Sequence, residues 1–86
     1  MRIEKKTWPE YFQKILDGVK TYDIRLADFN VKVGDILVLK EYNPTTKKYT
    51  GRIIEKKIKY VGTTKNQNWW SKEDVDKHGF VIMNFA

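Results

Sequence analysis

The change of hydrophobic period near Thr21 constrains the fold of this chain more than any other feature. In TWPEYFQKILDG, upstream of this point, apolar residues recur at the three- and four-residue spacing of an amphipathic helix. Thr7 can cap this helix, Glu10 follows three residues later as in a capping box, and Gly18 supplies a left-handed exit. The predicted buried stripe consists of Phe12, Ile15, Leu16 and Val19. From Thr21 the apolar residues alternate, as in a strand, so the chain combines a helix with a sheet.

The rest of the chain predicts further strands and a second, short helix. The run 36–39 is apolar on both faces, as expected of a well-buried strand, and 49–61 predicts a long strand or bent hairpin arm. Ser71 can cap a short helix that Gly79 closes, and FVIMNF predicts a closing strand. We therefore expect an α+β fold: a small β-barrel of about five mostly antiparallel strands, with an N-terminal helix and a short second helix.

Length and composition exclude several classes of protein. The 86 residues suffice for one domain, 1–86, and 41% hydrophobic with 14% aromatic residues favours a packed globule over disorder. The chain has no cysteine, which excludes disulfides and thiolate metal sites. It also has no apolar run of the roughly 18 residues that a membrane span needs. We expect a cytoplasmic monomer that contacts no membrane and holds no metal or cofactor.

The net charge of +6 is concentrated in one stretch of the sequence. Residues 47–65 contain seven lysines and arginines, Lys57 and Lys59 among them, against the single acid Glu55, so 7 − 1 = +6. A concentrated basic face attracts polyanions such as RNA. Lysines also blunt the exposed edge of a sheet, and this alternative stays open.

Three further charges crowd into DGVKTYDIRLAD, residues 17–28. Asp23 and Arg25 are two residues apart, so in a strand they share a face and lie within about 7 Å of each other. Lys20 belongs to the turn after Gly18 and can swing toward the same opening. Two cations around one carboxylate can bind a phosphate and a base edge, or they can form a structural ion pair that closes the helix–strand corner.

The same residues resemble a known family signature. Gly18, Lys20, Asp23 and Arg25 fit the pattern G-x-K-x-x-[DE]-x-R of the ASCH domain, and VGDILVLKEY and TGR extend the similarity over nearly the whole chain. The resemblance implies a PUA-like β-barrel, with the motif lining a cleft between helix and barrel, and an RNA- or nucleotide-related role. Some relatives are small amidohydrolases of modified nucleosides, but the hydroxyl they carry three residues after the lysine falls on Asp23 here. Thr21, the adjacent hydroxyl, is out of register.

Other side chains are candidates for the same site. Glu41 follows the buried strand and either reaches the cleft or is a surface acid at a strand end. Trp69 and Trp70 stand in a polar stretch, where exposed indoles stack on bases and buried ones plug a barrel. Since adjacent residues rarely face the same way, we expect one of them in the core and the other partly exposed.

Two functional hypotheses follow. The first is an RNA- or nucleotide-binding module. Its predicted ligand-binding residues are Lys20, Thr21, Asp23, Arg25, Glu41, Lys57, Lys59, Trp69 and Trp70. The alternative is a small amidohydrolase-like enzyme acting on modified nucleosides, with Lys20 as the base, Asp23 as a further catalytic residue, and a second carboxylate from Glu41, Glu73 or Asp74. A domain whose charged motif only holds the fold is a third possibility.

Overall fold

The computed structural model describes residues 1–65, 67–81 and 83. Along the chain lie β1 (Arg2–Thr7), α1 (Pro9–Leu16), β2 (Ile36–Asn43), β3 (Lys48–Lys57) and α2 (Lys72–His78). The strands form one sheet in the order β1-β2-β3, in which β1 runs parallel to β2 and β3 runs antiparallel to it. Neither helix in the described part of the chain has the length and apolar composition needed to cross a bilayer.

The predicted barrel of about five mostly antiparallel strands is wrong. The described residues form an open, mixed sheet of three strands, one of whose two pairings is parallel. The polar segment before α1 forms the strand β1. Because α1 and the segment after it carry the chain back across the sheet, β2 can start beside β1 and run in the same direction.

The alternating segment after Thr21 does not join the sheet. Tyr22, Ile24 and Leu26 are 38%, 61% and 80% exposed, so the predicted apolar face is not buried. Side-chain contacts hold this segment in place instead of backbone pairing with another strand. Asp23 pairs with Arg25, and Arg25 donates to the backbone oxygen of Lys6 near the end of β1. The residues with alternating hydrophobicity thus form an irregular extended segment and not a strand, which removes one strand from the predicted barrel.

The predicted closing strand at 80–85 is not seen either. Phe80, Val81 and Met83 belong to no strand, and residues 82, 84 and 85 lie outside the described part of the chain. In contrast, the short helix is confirmed as α2: the Ser71 hydroxyl caps it by accepting from the backbone N–H of Asp74.

Helix α1 forms where the period predicted it, but it starts and packs differently. Trp8 is the N-cap residue and makes no side-chain capping bond, while Thr7 ends β1. Of the predicted stripe, Phe12 and Ile15 are buried, whereas Leu16 and Val19 are exposed. Gly18 has φ of 79° and turns the chain out of the helix, as predicted.

The core is small and centred on β2. The buried apolar side chains of the described residues are Phe12, Ile15, Val38 and Leu39. Trp8, at the start of α1, is 50% exposed and does not join the core. Helix α1 covers one face of β2, and on the opposite face Val38 is buried, whereas Ile53 and Tyr49 of β3 are more than half exposed. The candidate sites therefore lie on a sheet with one covered and one accessible face.

Candidate nucleic-acid interface

The predicted charges after α1 come together as a corner cluster, which we define as Lys20, Asp23 and Arg25. The Nε atom of Arg25 donates to Asp23 Oδ2 at 2.6 Å. Its Nη2 atom donates to the backbone oxygen of Lys6 at 2.8 Å and to the Thr7 hydroxyl at 3.1 Å. Arg25 thereby ties the segment after α1 to the end of β1, with Asp23 holding the guanidinium in place.

Lys20 is part of this cluster, but its amine is turned inward. Nζ donates to the backbone oxygen of Tyr22 at 2.8 Å and lies 3.7 Å from Asp23 Oδ1. The amine also lies over the ring of Tyr22, 4.6 Å from its centroid, and only 15% of the Lys20 side chain is exposed. Thr21, the next residue, is exposed. The lysine is thus an internal tie of the corner rather than an open ammonium group.

Glu41 belongs to a second group of charges, which a bulge in β3 creates. Three residues of β3, namely Thr50, Gly51 and Arg52, lie opposite Glu41 where regular pairing requires one. Gly51 has φ of 95°, a conformation that favours glycine. As a result, both neighbours of the glycine reach one carboxylate, and we call Glu41, Thr50 and Arg52 the bulge network.

The bulge network saturates the Glu41 carboxylate. Oε1 accepts from the Thr50 hydroxyl at 2.5 Å and from Arg52 Nε at 3.0 Å, while Oε2 accepts from Arg52 Nη2 at 2.9 Å. The hydrogen bonds from Arg52, and then that from Thr50, lower the pKa of Glu41 to about 2 although the side chain is buried. The pairing with Glu41 also raises the pKa of Arg52. A carboxylate held ionised by three donors is a weak proton acceptor near neutral pH.

Arg52 also connects the bulge to the helix. Its Nη2 atom donates to Gln13 Oε1 at 3.1 Å, and its guanidinium carbon lies 4.9 Å from the centroid of the Phe12 ring. Arg52 therefore joins α1, β2 and β3, although 46% of its side chain remains exposed.

The corner cluster and the bulge network are neighbours through Thr7. In the parallel register Thr7 is the partner of Glu41, and both residues are 5% exposed. Paired residues of adjacent strands share a face, so the two groups lie side by side at the carboxyl ends of β1 and β2, under the cover of α1. The cleft predicted at this position is filled by hydrogen-bonded side chains.

The opposite face of the sheet carries lysine and tyrosine side chains close together, at the end of the β2–β3 hairpin. We define the sheet-face patch as Lys6, Lys40, Tyr42 and Tyr49. The two tyrosine rings meet edge to face with centroids 5.2 Å apart, and Tyr49 is 54% exposed. Lys6 Nζ lies 4.4 Å from the Tyr42 centroid, and Lys40 Nζ lies 5.9 Å from the Tyr49 centroid.

An open pocket connects this patch to the corner cluster. It is lined by Glu4, Lys5, Lys6, Arg25, Lys40 and Tyr49. Four of these residues are basic, and the single acid, Glu4, lies 3.2 Å from Lys40 Nζ. Arg25 uses Nε and Nη2 for its internal contacts, and within the described chain its Nη1 atom makes no hydrogen bond. Arg25 can therefore offer its outer amino group to a ligand in the pocket while remaining fixed.

The basic stretch of the sequence lies along the outer strand β3 and its flanks. Of its seven cations, Arg52 pairs with Glu41, and none of the other six forms a salt bridge with a described residue. The six are Lys47, Lys48, Lys56, Lys57, Lys59 and Lys65, and we call them the basic edge. Glu55, the acid in this stretch, pairs with Arg2 of β1. The charge of the basic edge is thus uncompensated.

Trp69 and Trp70 lie apart from these groups. They are 72% and 53% exposed, so the expectation that one is in the core is wrong. Their rings meet edge to face at 5.8 Å, and Trp70 also contacts Phe80. No hydrogen bond or ion pair between described residues joins the corner cluster to Glu73 or Asp74, the carboxylates named for the enzyme alternative.

Sequence reasoning missed Thr50, Arg52 and the sheet-face patch as a unit. TGR was visible as a motif, but its meeting with Glu41 depends on a bulge that the hydrophobic pattern does not encode. The patch could have been found from KEY at 40–42 and KKY at 47–49, since lysine and tyrosine recur on both strands of the hairpin. Lys6 could not have been assigned to the patch from the sequence, because its position depends on the parallel pairing of β1 with β2.

Comparison with known proteins gives a family but no activity. No curated protein and no solved structure matches the chain. A family model described as Domain of unknown function (DUF3850) matches residues 4–85, which is nearly the whole chain. The resemblance to the ASCH domain is not tested by this match and stays a prediction. The chain belongs to the DUF3850 family.

Proposed function

We propose that the protein is a binding module for single-stranded RNA and that the sheet-face patch is where the bases stack. The observation that carries the proposal is the tyrosine pair of Tyr42, which is half-buried, and Tyr49, which is exposed, with the amines of Lys6 and Lys40 beside the rings. Unpaired bases stack on aromatic side chains, and nearby lysines bind the phosphates between them.

Charge supports the same ligand. The pocket beside the patch has four basic lining residues and one acid, and the basic edge adds six lysines on β3 and its flanks that form no salt bridge with a described residue. Lysines and arginines that neutralise phosphates release the cations condensed on the polyanion, and this release favours binding at low salt.

In this proposal the corner cluster positions Arg25 and does not react. Asp23 binds Nε, and the end of β1 binds Nη2, so the guanidinium is held at the rim of the pocket without a ligand. A preorganised arginine loses little side-chain entropy when it meets a phosphate or a base edge. The predicted resemblance to the ASCH domain, with its RNA-related role, points the same way.

The geometry favours binding over the hydrolytic alternative. The Lys20 amine is used by Tyr22 and Asp23, so it would have to be released before it could act as a base. Glu41 is ionised but already accepts from three donors. Binding at the patch requires no such rearrangement.

The experiment is fluorescence anisotropy with a labelled, unstructured oligouridylate of eight nucleotides. We expect Tyr49→Ala to weaken binding about 5- to 100-fold, since stacking on one ring contributes about 1–3 kcal/mol. Tyr49→Phe, which keeps the ring, should bind within about threefold of the wild type. Lys40→Gln should weaken binding and reduce its salt dependence.

Trp69→Ala is the matched control, because it removes an exposed ring outside the patch. If Tyr49→Ala and Lys40→Gln bind as the wild type does while both remain folded by circular dichroism, the patch is not the RNA site. If the wild type binds no oligouridylate in 50 mM salt, the proposed function is wrong.

A further inference from the structure

The basic edge shows a charge arrangement that the patch alone does not require. Its six lysines form no salt bridge within the described chain, and Arg2 occupies Glu55, the single acid of the stretch. The edge strand is exposed along almost its whole length. Blunting of a sheet edge would explain the presence of lysines, but it would not explain why Lys57 shares a face with an aromatic patch.

The register of β2 and β3 shows which lysine shares a face with the patch. Tyr49 pairs with Tyr42 at one end of the β2–β3 hairpin, and Lys57 pairs with Ile36 at the other end. The pairs Tyr42–Tyr49 and Ile36–Lys57 are an even number of residues apart on β2, so Lys57 lies on the same face as the patch. The six steps from 36 to 42 correspond to roughly 20 Å at about 3.3 Å per residue.

That separation is too long for one nucleotide and suits a short strand. A stacked strand rises about 3.4 Å per nucleotide along its axis, so roughly six stacked nucleotides cover 20 Å. We infer that the ligand is a chain of at least about six nucleotides, whose bases stack at the sheet-face patch while its phosphates follow β3 toward Lys57 and Lys59. This inference rests on the proposed RNA-binding function and narrows the substrate class from nucleotides in general to single-stranded oligomers.

Helix α2 provides an internal comparison. It also carries two exposed lysines, Lys72 and Lys77, but Glu73, Asp74 and Asp76 lie beside them, and Lys72 pairs with Asp76 at 2.9 Å. The charge of α2 is therefore compensated, and we expect no phosphate to follow it. Removing two lysines from α2 changes the net charge as much as removing two from β3.

The test is a length series of oligouridylates with two, four, six, eight and twelve nucleotides, measured by competition with a labelled octamer. Affinity should rise about 30-fold or more from the dimer to the octamer and then level off. The slope of log K against log salt should steepen over the same range, by about 0.7 for each added phosphate contact.

Paired variants locate the added contacts. The β3 variant is Lys57→Gln/Lys59→Gln, which removes the lysine of β3 on the patch face and the next lysine along the chain. It should weaken octamer binding about 5- to 15-fold at 0.15 M salt, as expected for two lost phosphate contacts, and change dinucleotide binding less than twofold. Lys72→Gln/Lys77→Gln should change neither by more than twofold.

Three results would overturn the inference. If the dinucleotide binds as tightly as the octamer, the RNA does not extend along β3, and only RNA binding at the patch remains supported. An equal loss in the β3 and α2 variants would show that net charge alone governs affinity. Failure of every oligomer to bind would remove both the inference and the proposed function.

Discussion

The two faces of the sheet use charge in opposite ways. Under α1, Asp23, Arg25, Glu41 and Arg52 are bound to one another or to the ends of strands, and their carboxylates are held by several donors. On the opposite face and along β3, lysines stand beside exposed rings or have no acidic partner. The difference separates charges that stabilise the fold from charges that are available to a ligand.

This division explains why the most conspicuous charges of the sequence are not the most accessible ones. The corner cluster resembles a binding motif, yet its side chains are 15–25% exposed and bonded internally. The sheet-face patch has no comparable sequence signature, but 54% of Tyr49 is exposed to solvent. If the division is right, substitutions under α1 should change stability, and substitutions on the open face should change RNA affinity.

The largest effect on stability should come from the bulge network. Arg52→Met would leave the Glu41 carboxylate buried without its main partner, and we expect a loss of about 2–4 kcal/mol in the free energy of unfolding. Lys57→Met, a basic residue of the same strand without an acidic partner, should change it by less than about 0.5 kcal/mol. Urea denaturation of both variants makes the comparison, and similar losses would contradict the division.

The corner cluster should rank next. Arg25→Met removes the bonds to Asp23, Lys6 and Thr7, and we expect a loss of about 1–3 kcal/mol. Because Arg25 also lines the pocket, RNA affinity should fall as well, whereas Asp23→Asn should lower stability with a smaller effect on affinity. Unchanged unfolding midpoints in both variants would show that the cluster does not hold the corner.

Acid should weaken the covered face through Glu41. Its pKa is about 2 in the folded protein, below its ordinary value of 4.5, so the unfolded chain takes up this proton first as the pH falls. The stabilisation is complete well above pH 4.5 and is lost progressively as the pH falls toward 2. Asp35, whose pKa is lowered mainly by a hydrogen bond from the backbone N–H of Lys32, acts in the same direction.

The variant Glu41→Gln isolates the contribution of Glu41 from that of Asp35. Its unfolding midpoint should depend less on pH between 4.5 and 2 than that of the wild type. Identical pH profiles for the two proteins would mean that Glu41 does not keep its low pKa.

The smallest effect concerns the backbone of the bulge. Gly51→Ala should cost about 1 kcal/mol, because the residue has φ of 95° although the space around a Cβ atom is open. Gly62→Ala is the control, since Gly62 lacks a positive φ and a Cβ atom there would make an ordinary contact at 3.4 Å with Tyr60. Equal thermal midpoints for the two variants would argue against a strained bulge.

Local patterns were sufficient to predict α1, β2 and the capping of α2. Each of these features depends only on residues that are close in sequence. The signals are helical spacing over 12–15, an apolar run at 36–39, and Ser71 three residues before Asp74. The grouping of Lys20 with Asp23 and Arg25 was also predictable, because these residues are close in sequence.

Long-range features were not predictable in the same way. β1 is a polar strand whose position depends on pairing with residues 36–41, far along the chain. The alternation after Thr21 predicted a strand, but side-chain bonds to β1 satisfy that segment without a ladder. The bulge at 50–52 changes the register without changing the alternation on either side of it, so its meeting with Glu41 left no periodic signal.

The most direct measurement is an NMR titration of the ¹⁵N-labelled protein with an oligouridylate of eight nucleotides. We expect shifts of the amide signals of Lys6, Lys40, Tyr42 and Tyr49, continuing along β3 to Lys57, while the signals of α2 stay unchanged. Shifts confined to α2 and Trp69, or no shifts at oligomer concentrations up to about 1 mM, would contradict RNA binding on the open face of the sheet.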